Sequence, residues 1–71
     1  MIKNEQERLR IGMRIAELRR EKGLTQRELG DKCGLQGSHI ARIEKGRYSV
    51  GLDTLTAIAD AMETTLDFVK S

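Results

Sequence analysis

The side chains in this chain that could do chemistry gather between Gly37 and Lys45. At about 100° per residue of helix, Ile40 and Ile43 fall on one side; Ser38, Ala41, Arg42 and Lys45 fall on the other, with His39 at the edge. That outer face is short, polar and cationic, with a small residue in its middle. It suits an anionic partner, and the bland alternative is a solvated helix face that carries charge for solubility. Catalysis has no such cluster. One histidine, His39, and one cysteine, Cys33, cannot close a four-ligand zinc site or an internal disulfide. There is no glycine-rich phosphate loop and no nucleophile elbow, and 71 residues rarely enclose several convergent titratable groups. The expectation is a binding module without enzymatic activity, cofactor or metal.

The elements that must hold this face are helices. Proline is absent, no stretch alternates apolar and polar residues, and Gly23, Gly34, Gly46 and Gly51 cut the chain into helix-length pieces. Asn4-Glu5-Gln6-Glu7 has the form of a capping box and opens a first helix over about 5–22, with Ile11, Ile15 and Leu18 on its core face. A second stripe, Leu9, Met13 and Ala16, lies opposite and needs cover from a later segment or from a partner subunit. Thr25-Gln26-Arg27-Glu28 is a second capping box. It begins a short helix over about 26–33, with Leu29, Gly30 and Cys33 inward. Cys33 reads there as a small buried apolar residue, not a redox sensor. The third helix spans about 37–45 and the fourth about 52–62, the latter with Leu52, Leu55, Ala59 and Met62 buried and Ile58 near the edge. Thr64-Thr65 is expected to cap a last helix at about 66–69 carrying Leu66, Phe68 and Val69. The predicted fold class is all-α: five short helices around one core, forming a single domain over 1–71.

Composition bounds the rest. A domain this small buries only roughly 60% of its unfolded surface, so its stability margin is thin. The hydrophobic fraction of 38% suffices for a core, but no apolar run approaches the ~18 residues of a membrane span. The first residues lack the apolar stretch of a signal peptide, and a reducing, cytoplasmic compartment is the simplest reading. The net charge of +2 hides an asymmetry. Residues 1–51 hold 12 basic and 7 acidic side chains, a balance of +5, whereas residues 52–71 hold 1 and 4, a balance of −3.

Three stretches in order, Gly23-Leu24-Thr25-Gln26-Arg27-Glu28-Leu29-Gly30, Cys33-Gly34-Leu35 and Ile40-Ala41-Arg42-Ile43-Glu44-Lys45-Gly46, resemble the helix-turn-helix of the phage-repressor/Cro-type (xenobiotic-response-element-like) DNA-binding regulators. Arg14-Ile15-Ala16-Glu17-Leu18-Arg19 upstream and Leu52-Asp53-Thr54-Leu55 downstream extend the resemblance over nearly the whole chain. It implies a lambda-repressor-like domain whose third helix lies in the DNA major groove while the second crosses the backbone.

Carried over residue by residue, the resemblance implies base contacts from Gln36, Gly37, Ser38 and Arg42. The Arg42 guanidinium suits guanine O6 and N7. It implies phosphate contacts from Gln26, Arg27, His39, Lys45, Arg47 and Tyr48, and a structural ion pair between Arg19 and Glu44. Gln36 is a poor N-cap, and Gly37 offers no side chain where the family reads bases. Gly30 stands where alanine is commoner. Leu66, Phe68 and Val69 belong either to the core or to a dimer surface. The function implied is a sequence-specific transcriptional regulator, a repressor that binds double-stranded DNA as a homodimer on a near-palindromic operator. The alternative is an interaction module of the same fold, such as an antitoxin that binds a toxin-like protein partner and autoregulates its operon.

Overall fold

Thr25 opens the second helix by reciprocal capping. Its hydroxyl accepts from the Glu28 N–H at 3.0 Å, and the Glu28 carboxylate accepts from the Thr25 N–H at 2.9 Å. The computed structural model describes residues 3–47 and 49–70. Among them stand four helices, α1 (Asn4–Glu21), α2 (Gln26–Cys33), α3 (Gly37–Glu44) and α4 (Leu52–Ala61), and no strand. The α1 start differs from expectation. Lys3 is the N-cap and Asn4 is already helical, so no side chain caps the first turn. The Glu7 carboxylate is drawn forward instead, accepting from Arg10 Nη2 at 2.7 Å and Nε at 3.0 Å, which leaves no arm to reach back.

All four helices close in the same way. An N–H two or three residues past the helix end reaches back to a carbonyl five positions earlier: Leu24 to Arg19 at 3.0 Å, Leu35 to Gly30 at 2.8 Å, Arg47 to Arg42 at 3.1 Å and Thr64 to Ala59 at 2.9 Å. The residue before each donor is left-handed. Glycine fills that place three times and Glu63 once, at φ 56°.

The expected fifth helix is absent. Thr64, read as a cap for it, finishes α4: its hydroxyl also donates to the Ala59 carbonyl, at 3.1 Å. Residues 64–70 adopt no helix. A four-residue segment makes too few hydrogen bonds to offset helix nucleation.

The core is Ile15, Leu29, Ile40, Ile43, Ile58 and Met62, with Ile11, Leu18, Leu24, Cys33, Leu35, Val50, Leu55 and Ala61 packed around it. Helix α3 packs on both α1 and α2, and α2 packs on α4. On α4 the buried stripe centres on Ile58, and Leu52 is largely exposed, because the first turn after Gly51 lies outside the core. The second stripe of α1 is only partly covered. Ala16 is buried, but Leu9 and Met13 stay 48% and 61% exposed.

Gly12 explains how α1 and α3 come so close. A β-carbon there would collide with the Ile43 carbonyl and stand 2.6 Å from that of Glu44. The last turn of α3 therefore lies directly on the α1 backbone.

Candidate nucleic-acid interface

Helix α3 is amphipathic in the strict sense. Ile40, Ile43 and Glu44 are buried; Ser38 and Arg42 are exposed; Ala41 and His39 are half-buried at the borders. Its start is weakly built. Gln36 occupies the N-cap in extended conformation without a side-chain hydrogen bond, and a carboxamide on a longer stem is a poor substitute for Ser or Thr at that position. Ser38 makes no compensating side-chain bond among the described residues, which leaves its hydroxyl exposed.

Gly37 does different work from that expected of a base-reading position. Its β-carbon direction points at the backbone of Arg27, with Cα 3.1 Å and N 3.2 Å away, so the residue is turned toward α2. The absence of a side chain lets the two helix starts touch. Gln36, Ser38 and Arg42 are left as the exposed polar residues of the α3 front.

The cations around this front are uncompensated. Among the described residues the ion pairs are Arg10–Glu7, Arg14–Glu17 and Arg19–Glu44. Arg27, Arg42, Lys45 and Arg47 are all exposed and belong to none of them. Exposed cations without ion-pair partners attract a polyanion through a field that salt screens. Arg27 projects from the first turn of α2, Arg42 from the α3 front, and Lys45 and Arg47 from the turn that closes α3. Tyr48 lies outside the described residues.

Behind the front, one buried pair locks the helices together. Arg19 Nε donates to Glu44 Oε2 at 2.6 Å and Nη2 to Oε1 at 3.1 Å, while Nη1 donates to the Leu24 carbonyl at 2.9 Å. Both residues are 8% exposed. The hydrogen bonds to Glu44 raise the Arg19 pKa further, against the opposing effect of burial. A fully satisfied pair of this kind specifies geometry more than it adds stability, yet removing one partner strands a buried charge.

Sequence reasoning missed the third member. Gln26 Nε2 donates to Glu44 Oε1 at 3.0 Å, so the side chain expected at a phosphate is tied on one edge to the buried pair. No local pattern signals this, since the two residues lie 18 positions apart.

The remaining chemistry is sparse. Burial pushes the Cys33 thiol up, and its Sγ donates to the Leu29 carbonyl at 3.2 Å. No group of three His, Cys, Asp or Glu that could hold a metal occurs among the described residues, and none of their helices is long and apolar enough to cross a membrane.

Residues 15–69 match the helix-turn-helix family. The chain belongs to that family of DNA-binding transcriptional regulators. Its relatives include the immunity repressor protein of Bacillus phage phi105, 44% identical over 52 residues, which span 73% of this chain and 36% of the repressor. An uncharacterized HTH-type transcriptional regulator of Sinorhizobium fredii is 38% identical over 52 residues, 73% of this chain and 68% of that protein. Another, from Methanothermobacter thermautotrophicus, is 46% identical over 48 residues, 68% of this chain and 70% of that protein. The chain thus spans little more than a third of the phage repressor and about two thirds of the other two. Within the matched residues α2 and α3 pack on each other, and the family is one of DNA-binding regulators, not of enzymes.

Proposed function

We propose that the chain is a sequence-specific repressor that binds double-stranded DNA as a homodimer, laying α3 in the major groove of a near-palindromic operator. The observation that carries this reading is the exposed front of α3, with Ser38 and Arg42 outward and no carboxylate paired to the cations around it among the described residues. Arg42 is the principal base reader, since its planar fork matches the guanine edge, and Gln36 and Ser38 read beside it. Arg27, His39, Lys45 and Arg47, with Gln26 at the α2 start, hold the phosphates and set the register. Gly37 contributes by seating α3 on α2.

One copy offers few base contacts. Two-fold pairing, with half-sites about 34 Å apart, would double them. The exposed Leu66, Phe68 and Val69 at the far end supply apolar surface for that pairing. The name of the phage relative, an immunity repressor, supports repression as the sense of regulation. Work on DNA would keep the chain in the cytoplasm. The same apolar end also favours a second reading, a toxin-like protein partner, as in an antitoxin that represses its own operon.

The test is selection of bound sites from a random double-stranded library, with Arg42→Ala in parallel. Enrichment of an inverted repeat by the parent chain, lost in Arg42→Ala, is the expected result. Absence of enrichment from folded protein would overturn operator binding and turn the search to a protein partner by pull-down.

A further inference from the structure

Gln26 stands at a junction that neither the reading helix nor the phosphate-contact assignment accounts for. It is the first residue of α2, it is half-buried, and its carboxamide nitrogen donates to Glu44 Oε1 at 3.0 Å. The same oxygen accepts from Arg19 Nη2 at 3.1 Å, while Glu44 Oε2 takes the shorter bond from Arg19 Nε at 2.6 Å. Glu44 therefore uses both oxygens on Arg19 and shares one of them with Gln26. An amide nitrogen carries two hydrogens about 120° apart, so a bond to Glu44 leaves the second one directed elsewhere.

Gln26 also borders an open surface cleft of mixed charge, lined by Arg20 and Lys45 and by Glu17, Glu21 and Glu44. The α2 capping box uses the Glu28 N–H but not those of Gln26 and Arg27, which are among the donors that a helix start leaves without intrahelical partners. A buried, doubly anchored carboxylate thus holds a neutral donor beside two backbone N–H groups that the start of α2 leaves without intrahelical partners.

We propose that Glu44 is a positioning residue for DNA-backbone binding. Through Oε1 it fixes the Gln26 carboxamide so that its second N–H meets a phosphate at the start of α2. This rests on the DNA-binding reading above and names a device within it. A side chain fixed before binding loses less rotamer freedom when the phosphate arrives, so the contact gains from Glu44 without Glu44 touching DNA. The Arg19–Glu44 pair then has two duties: it ties α1 to α3, and it sets a donor on α2.

The experiment is a mutant cycle read by binding to a 20-base-pair duplex of random sequence at about 50 mM salt, where phosphate contacts dominate. Gln26→Ala should weaken binding of the parent chain about fivefold, the worth of one neutral hydrogen bond. The slope of log K against log salt should stay unchanged, because a carboxamide displaces no counterion. In a background of Arg19→Met with Glu44→Leu, which removes the pair without stranding a charge, Gln26→Ala should cost less than about twofold. In Glu44→Gln, which keeps an acceptor oxygen for Gln26, the full cost should return. Equal loss in all backgrounds would overturn positioning by Glu44, and no loss in the parent chain would overturn the Gln26 contact while leaving DNA binding intact. A parent chain that binds no duplex would defeat the underlying reading itself. If the double variant does not fold, the side-chain amide protons of Gln26 in the parent chain decide by NMR. One should shift on adding duplex while its bonded twin holds, and two unmoved protons would overturn the proposal.

Discussion

Helices α2 and α3 are equally long, eight residues each, and face opposite problems. Helix α2 begins on a complete capping box and ends on left-handed Gly34, so its own sequence fixes both ends. Helix α3 begins on Gln36 with no side-chain cap, followed by Gly37. Its last turn carries the buried Glu44, held by Arg19 from α1 and Gln26 from α2. The helix that carries the exposed polar front is thus placed by its neighbours, and the helix behind it by local chemistry. Helix α3 is oriented from its C-terminal end, where its buried contacts concentrate, while its start relies on the backbone contact of Gly37 with Arg27.

The contrast breaks most severely at Glu44. Glu44→Ala should cost about 3–5 kcal/mol by urea denaturation, because it leaves the Arg19 guanidinium buried without its partner. Arg19→Met combined with Glu44→Leu should recover most of that loss; if it does not, the pair contributes stability beyond the avoidance of a stranded charge.

Next comes the close approach beneath the same end. Gly12→Ala would drive a methyl group into the carbonyls of Ile43 and Glu44 and should destabilise by about 1–3 kcal/mol. That is larger than the ~1 kcal/mol that alanine gains over glycine inside a helix. A net increase in melting temperature would show that α3 can shift away from α1 at little cost.

The caps sharpen the comparison with smaller effects of opposite sign. Thr25→Ala should cost about 1 kcal/mol, or roughly 4–8 °C in melting temperature for a domain of this size. Gln36→Thr should stabilise by somewhat less than about 1 kcal/mol, since α3 now starts without a side-chain cap. Unchanged stability at Gln36 would mean that tertiary contacts already hold the α3 start.

The smallest effect is on acid sensitivity. The Thr25 N–H and hydroxyl hold the Glu28 carboxyl below its ordinary value of 4.5. A depressed carboxylate contributes stability that is fully present above its unfolded pKa and is lost as pH falls through the lower folded value. Glu28→Gln keeps an oxygen for the capping box but cannot titrate. Its denaturation midpoint should fall less than the parent's between pH 5 and pH 3, and parallel curves would place the acid response elsewhere.

Local patterns were legible wherever the partner groups lie within a turn of one another. The Thr25–Glu28 box, the glycine stops and the inward Ile40 and Ile43 needed only helix geometry. The same logic misread Asn4-Glu5-Gln6-Glu7, because Arg10 competes for the Glu7 carboxylate and the helix starts one residue sooner. It also placed a helix at Leu66–Val69 where Thr64 instead ends α4. In both cases a motif with the right letters had a second use nearby.

At the candidate interface, the residue types of the α3 front were readable from spacing alone, and the Arg19–Glu44 pair through family resemblance. That Gln26 turns one edge to Glu44, and that Gly37 faces α2, were not. These depend on where α1 and α2 cross α3, which no local window contains.

The sequence by itself determined the helix periods, most of the helix stops, the apolar set that forms the core and the cationic excess of the first 51 residues, because each follows from interactions within a few residues or from composition. Only the tertiary structure decided that α3 is fixed at its buried end, that Gly12 must lack a side chain, and that one carboxylate serves residues of two other helices. Those outcomes come from contacts between segments brought together by burial, and burial selects which distant groups must satisfy one another.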